Sequence, residues 1–205
     1  MTFIIAIAGG SGAGKTILAR ALAARLAQPA TLISEDDYYH CRTSLANFDP
    51  ATHDFDHPDA KDHALLARHL TAARRGEAFE KPLYAHERHE RIGVETVSPA
   101  ALVILEGLHV LAHAPIRAAI DLAVYVEADE AERLARRMAR DVTERGRTPD
   151  GVKHDFARAV APAHERFVAP QAAHADLVVI NSGALEEIGA HAARIEAAWR
   201  ARSTR

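Results

Sequence analysis

The stretch GGSGAGKT, residues 9–16, constrains this chain more than any other part of its sequence. It follows a continuous apolar run at 3–8, which is typical of a strand buried on both faces of a parallel sheet. Helical spacing of apolar residues then covers 17–26. Glycines let backbone N–H groups approach phosphate oxygens, and the positive end of the following helix attracts the same anion. The strand, loop and helix together predict a phosphate-binding loop.

The lysine and threonine at the end of this loop indicate that the phosphate belongs to a nucleotide. The Lys15 ammonium would reach the β- and γ-phosphates, and the Thr16 hydroxyl would bind Mg²⁺. A GTP-dependent switch protein would carry a D-x-x-G segment and an N-K-x-D segment that reads guanine, and neither occurs here. The predicted nucleotide-binding residues of the loop are Gly9, Gly10, Ser11, Gly12, Ala13, Gly14, Lys15 and Thr16.

Short apolar strands alternate with helical segments along the rest of the chain. We predict strands at 31–34, 101–107, 122–128 and 176–183, with an irregular β-hairpin at 79–99. We predict helices at 59–75, capped by Asp59, at 129–140, at 152–167, bent at Pro162, and at 184–200. The pattern is typical of an α/β fold: a P-loop NTPase-type parallel sheet with helices on both faces, a small β-hairpin insertion and an arginine-rich lid.

The composition indicates the cellular compartment of the protein and argues against some classes of partner. The 205 residues carry a formal net charge of −3, which argues against nucleic acid or an anionic membrane as the main partner. Cys41 is the single cysteine, so no intrachain disulfide can form. The opening MTFIIAIA lacks a basic region, and no apolar run reaches the length of a membrane span. We expect one domain over 1–205, in the cytoplasm, with no nucleic-acid or membrane partner.

Acidic residues stand where two predicted strands end. Glu106 lies at the end of the strand at 101–107, where it could hold Mg²⁺ directly or through water, or cap a helix. Asp36 lies just past the strand at 31–34, at the edge where such sheets bind ligands, and could act as a base toward an acceptor hydroxyl. Glu35 and Asp37 are rivals for that role, and a solvated acidic turn is the alternative.

A row of arginines supplies positive charge further along the chain. One broad helical face carries Arg133, Arg136, Arg137 and Arg140, at spacings of three and four. Beyond the predicted helix, Gly146 is flanked by Arg145 and Arg147. Arginines on a glycine-containing segment predict a lid over 140–152 that closes on phosphates, with a solvated helix face as the alternative.

Together these motifs resemble the uridine–cytidine kinase family of P-loop nucleoside kinases, in the phosphoribulokinase/uridine kinase superfamily. The resemblance covers nearly the whole chain and rests on GGSGAGKT, SEDDYY, FDHPDA, PLY…H.R, VILEG, RRMARDVTERGR and ADLVVI. It implies an enzyme that uses Mg²⁺ and ATP or GTP to phosphorylate the 5′-hydroxyl of uridine or cytidine in pyrimidine salvage. It also implies a homo-oligomer, a tetramer or a dimer.

The resemblance assigns roles to individual residues. Asp36 would be the base at the 5′-hydroxyl, with Tyr39 nearby and with Lys15 and Arg145 assisting catalysis. Asp56 would accept hydrogen bonds from the ribose hydroxyls, with Arg137 as its partner. Residues 35–99 would form the nucleoside-binding insertion. The remaining roles are Tyr84 and His89 at the pyrimidine, Arg147 and Asp155 at the nucleoside, Arg140 and Arg145 at the triphosphate, and Thr16 and Glu106 at Mg²⁺.

Three departures from the family pattern concern the acceptor side. Ala85 and His86 stand where the family usually has Asp-Phe, Asp155 stands where it has a glutamine, and Glu35 replaces a common glutamine. One alternative is therefore a kinase of the same superfamily acting on another ribosyl, sugar-phosphate or pantothenate-like acceptor. The other is a nucleotide-binding regulatory protein without transferase activity.

Overall fold

The computed structural model describes residues 1–50, 52–183 and 185–203. Its strands are β1 (Phe3–Gly9), β2 (Ala30–Ser34), β3 (Phe79–Ala85), β4 (Glu90–Val97), β5 (Leu102–Gly107), β6 (Leu122–Glu127) and β7 (Leu177–Ile180). Five of them form a parallel sheet in the order β2-β5-β1-β6-β7. The other two, β3 and β4, form a separate antiparallel hairpin with a register shift at Leu83/Tyr84.

Helices cover both faces of the sheet. They are α1 (Lys15–Arg25), α2 (His63–Arg74), α3 (Ala114–Arg117), α4 (Glu130–Arg145), α5 (Pro149–Asp155), α6 (Ala161–Ala163) and α7 (Leu185–Ser203). One hydrophobic cluster joins the sheet to α1 and α7, and a second joins the opposite face to α2 and α3. The parallel sheet, the helices on both faces and the hairpin confirm the predicted fold class. Within the described ranges, no helix has the length and apolar character that crossing a membrane requires.

The central strand β1 shows why the apolar runs predicted the sheet correctly. Ile4, Ile5 and Ile7 are fully buried, although successive side chains of a strand point to opposite faces. Both faces are therefore covered, and each buried aliphatic side chain contributes about 1.5–3 kcal/mol. Because all five strands run in parallel, their carboxyl ends share one edge, where Ser34 lies opposite Glu106 in the β2–β5 register.

Two predicted helix boundaries were wrong. Asp62, not Asp59, caps α2, where its carboxylate accepts a hydrogen bond from Leu65 N at 2.9 Å. Pro58–Ala60 instead forms a 3₁₀ turn, and Lys61 is extended because it pairs with Tyr39 in an isolated β-bridge. The helix predicted to end at residue 140 continues to Arg145 and ends at Gly146, whose φ of 62° suits glycine.

The segment that follows α5 is helical but irregular. Wider π-type turns at Phe156–Val160 and His164–Val168 flank α6, and a 3₁₀ segment at Ala169–His174 follows. The helix predicted over 152–167 with a bend at Pro162 is therefore a succession of short helical pieces. The start of the last predicted helix at Ala184 lies outside the described residues, and the described part of that helix, α7, extends to Ser203.

Candidate active site

The phosphate-binding loop between β1 and α1 packs very closely against two residues from later parts of the chain. Gly12 has a φ of +81°, and a Cβ there would lie 2.2 Å from the carbonyl oxygen of Arg133 on α4. Gly14 has a φ of +95°, and its Cβ would lie 2.5 Å from Asn181 Nδ2, which donates to Ala13 O at 2.8 Å. Only glycine fits these two positions without displacing a neighbour. The loop therefore curls tightly at the N-terminus of α1, where an anion is favoured.

Lys15 is the first residue of α1, and its side chain is buried. Its Nζ donates to the carbonyl oxygen of Gly10 at 2.9 Å, so the ammonium folds back over the loop. Burial lowers the pKa of Lys15, while the nearby carboxylates of Glu106 and Asp36 oppose that change. An ammonium held over this loop can meet the β- and γ-phosphates of a nucleotide.

A cleft of about 890 Å³ opens beside the loop, within the size range of small-molecule sites. It brings together side chains from both halves of the chain. The predicted site residues that line it are Ser11, Gly12, Gly14, Lys15, Thr16, Asp36, Tyr39, Asp56, Tyr84, His89, Glu106, Arg137, Arg140, Arg145, Arg147 and Asp155. The other three predicted residues, Gly9, Gly10 and Ala13, belong to the loop but do not line the cleft.

Ser34 connects two of the predicted acids, Asp36 and Glu106, near the carboxyl ends of adjacent strands. Ser34 ends β2, and its hydroxyl donates to Glu106 Oε1 on β5 at 2.8 Å. The same hydroxyl oxygen accepts a hydrogen bond from Asp36 N at 3.3 Å, which begins the turn Glu35–Tyr38. Burial raises the pKa of Glu106, against the opposing effect of Lys15. Asp36 and Glu106 thus stand side by side at the cleft.

Of the three consecutive acids after β2, only Asp36 lines the cleft. Asp37 pairs with Lys81 at 2.6 Å, and Glu35 is fully buried and pairs with Lys61 at 2.8 Å. The Lys61 ammonium also lies 2.6 Å from Asp36 Oδ1. Burial alone would raise the pKa of Asp36, but the charge and hydrogen bond of Lys61 lower it to about 2. Asp36 is therefore ionised at neutral pH.

A carboxylate and a guanidinium meet next to the phosphate-binding loop. Arg137 Nη1 lies 3.4 Å from Asp56 Oδ1, and it donates to the Ser11 hydroxyl at 2.8 Å. Burial opposes the charge on Arg137, yet Asp56 and Asp141 raise its pKa above the ordinary value. One side chain therefore connects the phosphate loop to the carboxylate predicted to bind a sugar.

Aromatic rings form the wall of the cleft on the predicted base side. Tyr39 and Tyr84 lie 5.3 Å apart between ring centroids, and the Tyr39 hydroxyl donates to Phe55 O at 3.1 Å. Phe55 and His89 are stacked at 4.9 Å with an interplanar angle of 24°. His86, one of the departures from the family pattern, lies 5.2 Å from Tyr84. Faces of this kind suit a planar heterocycle.

Asp141 gathers the predicted triphosphate-binding arginines at the end of α4. Its side chain is fully buried, and Oδ1 lies 2.8 Å from Arg140 Nη2 and 3.6 Å from Arg145 Nη1. Its other oxygen, Oδ2, lies 3.5 Å from Arg137 Nε and 3.8 Å from Arg147 Nη1. Arg147 also forms an ion pair with Asp155. The carboxylate of Asp141 therefore orders four cations around the cleft.

The predicted Mg²⁺ ligands fit the ion chemically. Thr16 and Glu106 supply the oxygen donors that Mg²⁺ prefers, and both line the cleft beside Lys15. Among the described residues, the Ser34 hydroxyl is the one donor to Glu106, and it uses Oε1. The second carboxylate oxygen, Oε2, is available to the ion or to one of its waters.

A buried histidine cluster could suggest a second metal centre. Glu35, His63 and His109 each place a potential ligand atom within 4.8 Å of the others. However, Glu35 already accepts hydrogen bonds from Lys61 Nζ, from His63 Nε2 and from the backbone N–H groups of Leu108 and His109. Its lone pairs are thereby occupied. We therefore interpret the cluster as an internal network behind Asp36.

Several residues that shape the site were not predicted from the sequence. Asp141 lies within a recognised motif and Lys61 directly follows another, but the partners of both side chains are set by packing and not by spacing. Phe55 precedes Asp56, and its stacking on His89 depends on how two distant loops meet. A lysine within the otherwise acidic stretch FDHPDAKD was the one available signal for Lys61.

Comparison with known proteins agrees with this geometry. A family model described as "Phosphoribulokinase / Uridine kinase family" matches residues 4–186. A uridine kinase of Halobacterium salinarum is 39% identical over 87% of this chain and 80% of its own length. A uridine kinase of Listeria welshimeri is 37% identical over 88% of this chain and 87% of its own.

A solved structure shares the fold. Phosphoribulokinase from Rhodobacter spheroides superimposes with a TM-score of 0.64 at 19% identity, over 87% of this chain and 70% of that one. The family match covers most of the chain, and two relatives exceed 35% identity over most of their length. The chain therefore belongs to the phosphoribulokinase/uridine kinase family.

Proposed function

We propose that this protein is a uridine/cytidine kinase, which transfers the γ-phosphate of ATP or GTP to the 5′-hydroxyl of a pyrimidine ribonucleoside. The products would be a nucleoside diphosphate and UMP or CMP. Uridine kinases of similar length and 37–39% identity support the acceptor class. In this proposal the cleft-lining residues of the insertion at 35–99 hold the nucleoside, and the arginines of residues 140–152 close over the triphosphate.

The observation that carries the proposal is the bridging position of Arg137. Its guanidinium contacts the phosphate loop at Ser11, 2.8 Å away, and the carboxylate of Asp56, 3.4 Å away. A carboxylate can accept hydrogen bonds from two neighbouring sugar hydroxyls, and a sugar that lacks one hydroxyl forms one fewer of these bonds. An acceptor bound at Asp56 would thus lie beside the donor phosphates.

The reaction follows from this arrangement. The 5′-oxygen attacks the γ-phosphorus, the bond from that phosphorus to the β–γ bridging oxygen breaks, and the diphosphate leaves. The hydroxyl proton passes to Asp36, which is ionised and lines the cleft. Since the transition state is loose, a weakly basic carboxylate in the right position is sufficient.

Positive charge accompanies the moving phosphoryl group. Lys15 would hold the β- and γ-phosphates, and Arg145 with Arg140 would stabilise the charge that develops on the transferring oxygens. Mg²⁺, held by Thr16 and Glu106, would neutralise charge on the β- and γ-phosphates. The chain's own contribution is therefore orientation and electrostatic stabilisation.

A panel of acceptors tests the proposal. Product formation would be measured with ATP·Mg²⁺ and uridine, cytidine, 2′-deoxyuridine, adenosine or ribose, with Asp36→Asn as the control. We expect conversion of uridine or cytidine, weak use of 2′-deoxyuridine, and loss of activity in the variant. Preferential conversion of adenosine or ribose would assign another acceptor. Nucleotide binding without product from any acceptor would indicate a regulatory protein.

A further inference from the structure

Lys61 holds a buried ammonium between two carboxylates directly behind the cleft. Its side chain has no solvent exposure, and Nζ lies 2.8 Å from Glu35 Oε2 and 2.6 Å from Asp36 Oδ1. The ammonium also lies 4.6 Å from the centroid of the Tyr39 ring. Burial favours the neutral amine, yet Asp36 and Glu35 hold the pKa of Lys61 well above its ordinary value. Lys61 is therefore a permanent cation in contact with the proposed base.

The backbone fixes where Lys61 stands relative to Asp36. Lys61 pairs with Tyr39 in an antiparallel bridge. On either side of this pair, His40 N donates to Ala60 O at 3.0 Å and Asp62 N donates to Tyr38 O at 2.8 Å. These bonds hold the segment around Lys61 in register with the turn that carries Asp36. The backbone is therefore already placed for the contact, and only the Lys61 side chain has to be ordered to form it.

Glu35 anchors the other side of the ammonium. It is fully buried, and its carboxylate accepts from Leu108 N at 2.7 Å and from His63 Nε2 at 2.9 Å. Leu108 follows Glu106 by two residues and lies just past the end of β5. A series of short polar contacts thus runs from the strand that carries Glu106, through Glu35 and Lys61, to Asp36.

The contact leaves part of Asp36 open to the cleft. Lys61 occupies Oδ1, and the Asp36 side chain is 43% exposed. Among the described residues, no donor contacts Asp36 Oδ2. One oxygen is therefore fixed from behind while the other can accept a hydrogen bond from an acceptor hydroxyl.

We propose that Lys61, held by Glu35, is a positioning residue that orients Asp36 toward the acceptor hydroxyl. The inference rests on the proposed function, in which Asp36 is the base. Removal of the ammonium would let the carboxylate rotate away from the hydroxyl, and a misplacement of about 1 Å lowers turnover by about 100-fold. The affinity for ATP would change little, because Lys61 does not line the cleft.

The main test uses a variant that leaves no unpaired buried charge. Glu35→Gln/Lys61→Met removes one negative and one positive group together. We expect kcat with uridine to fall about 10- to 100-fold, while the Kd for ATP and the melting temperature stay near the wild-type values. The control is Lys81→Met, which removes another lysine paired with an aspartate at 2.6 Å, and we expect its kcat to stay within about threefold. A kcat of the double variant equal to wild type would overturn the inference.

A double-mutant cycle separates positioning from an independent effect. If Lys61 acts through Asp36, adding Glu35→Gln/Lys61→Met to Asp36→Asn should lower kcat no further. Losses in kcat that multiply would contradict the inference.

A crystal structure of the Glu35→Gln/Lys61→Met variant tests the orientation directly. We expect the Asp36 carboxylate in a changed or mixed orientation, and an unchanged single orientation would overturn the inference.

Failure of the proposed function has a different signature. In that case the wild-type protein would form no product from uridine or cytidine. The crystal structure of the variant would still decide the positioning claim, because it does not depend on turnover.

Discussion

The guanidinium of Arg137 lies 3.4 Å from the carboxylate of Asp56 and 2.8 Å from the Ser11 hydroxyl of the phosphate loop. Arg137 comes from α4, Asp56 from the segment before α2, and Ser11 from the loop after β1. Three remote parts of the chain are thereby joined at one cation. We base on this contact the proposal that a sugar-bearing acceptor binds next to a nucleotide.

Asp56→Asn should weaken discrimination between uridine and 2′-deoxyuridine. The carboxylate would accept hydrogen bonds from both ribose hydroxyls, and hydrogen bonds to a charged group contribute about 1.5–3 kcal/mol. We expect kcat/KM for uridine to fall about 10- to 100-fold, with a much smaller loss for 2′-deoxyuridine. Steady-state kinetics with both acceptors measures the ratio. Asp59→Asn, at a side chain that is 92% exposed, is the control, and equal losses for both acceptors in Asp56→Asn would contradict the ribose role.

Arg145→Met should lower kcat without a large loss of stability. Arg145 lines the cleft, and its side chain is 38% exposed at the end of α4. Loss of one cation at the transferring phosphoryl group should reduce kcat about 100- to 1,000-fold. Turnover and melting temperature would be compared with those of Arg75→Met, whose side chain is 66% exposed outside the cleft. A kcat within threefold of wild type would remove Arg145 from the proposed chemistry.

Gly107→Ala should destabilise the fold because Glu35 packs against it. A Cβ at Gly107 would lie 2.3 Å from Glu35 Cβ, and overpacking of this kind costs about 1–3 kcal/mol. Gly189→Ala is the matched control, since nothing lies within 4 Å of the added Cβ on helix α7. There alanine should stabilise by up to about 1 kcal/mol. Urea unfolding measures both, and equal free energies of unfolding for the two variants would contradict the packing account.

His109 should make the protein less stable as the pH falls. Both ring nitrogens are buried without a hydrogen-bond partner among the described residues, and burial lowers the pKa of His109 to about 3, against the attraction of Glu35. An unfolded histidine takes up its proton near pH 6.5, so between about pH 6.5 and 3 the unfolded state binds more protons. The free energy of unfolding therefore falls as the pH decreases through that range.

His109→Leu should flatten this pH dependence. The slope between pH 6.5 and 5 should decrease by up to about 1.4 kcal/mol per pH unit. Some slope should remain, because burial also lowers the pKa of His164, to about 4. Denaturant unfolding at several pH values measures it, with exposed His154→Gln as the control. An unchanged slope in His109→Leu would contradict a neutral buried imidazole.

The strands were predictable because their burial is visible in the sequence. A parallel strand covered on both faces is a short apolar run, and β1, β5 and β6 are such runs. The cleft was also predictable in outline, since parallel strands place Asp36 and Glu106 at one edge. Sixteen predicted residues line that cleft. The recognised motifs include the segments that supply the phosphate loop, the predicted sugar-binding carboxylate and the arginines.

The contacts among charged side chains were not predictable in the same way. Lys61 stands 25 positions from Asp36, and their pairing depends on the Tyr39–Lys61 bridge. Asp141 fell in the lid predicted over 140–152, although it is a buried residue of α4, which is longer than the predicted helix. The predicted cap of α2 was wrong for a related reason. The same bridge keeps Lys61 extended, so the helix begins only at His63. Tertiary packing decides these positions.

The position of the transferred phosphate distinguishes a 5′-kinase from the alternatives. Uridine would be incubated with the wild-type protein and ATP·Mg²⁺, and the product would be examined by proton-coupled ³¹P NMR. We predict a nucleoside monophosphate whose phosphorus signal is a triplet, split by the two protons of C5′. A doublet, from a phosphate at the 2′- or 3′-oxygen, or the absence of any phosphorylated uridine would contradict it.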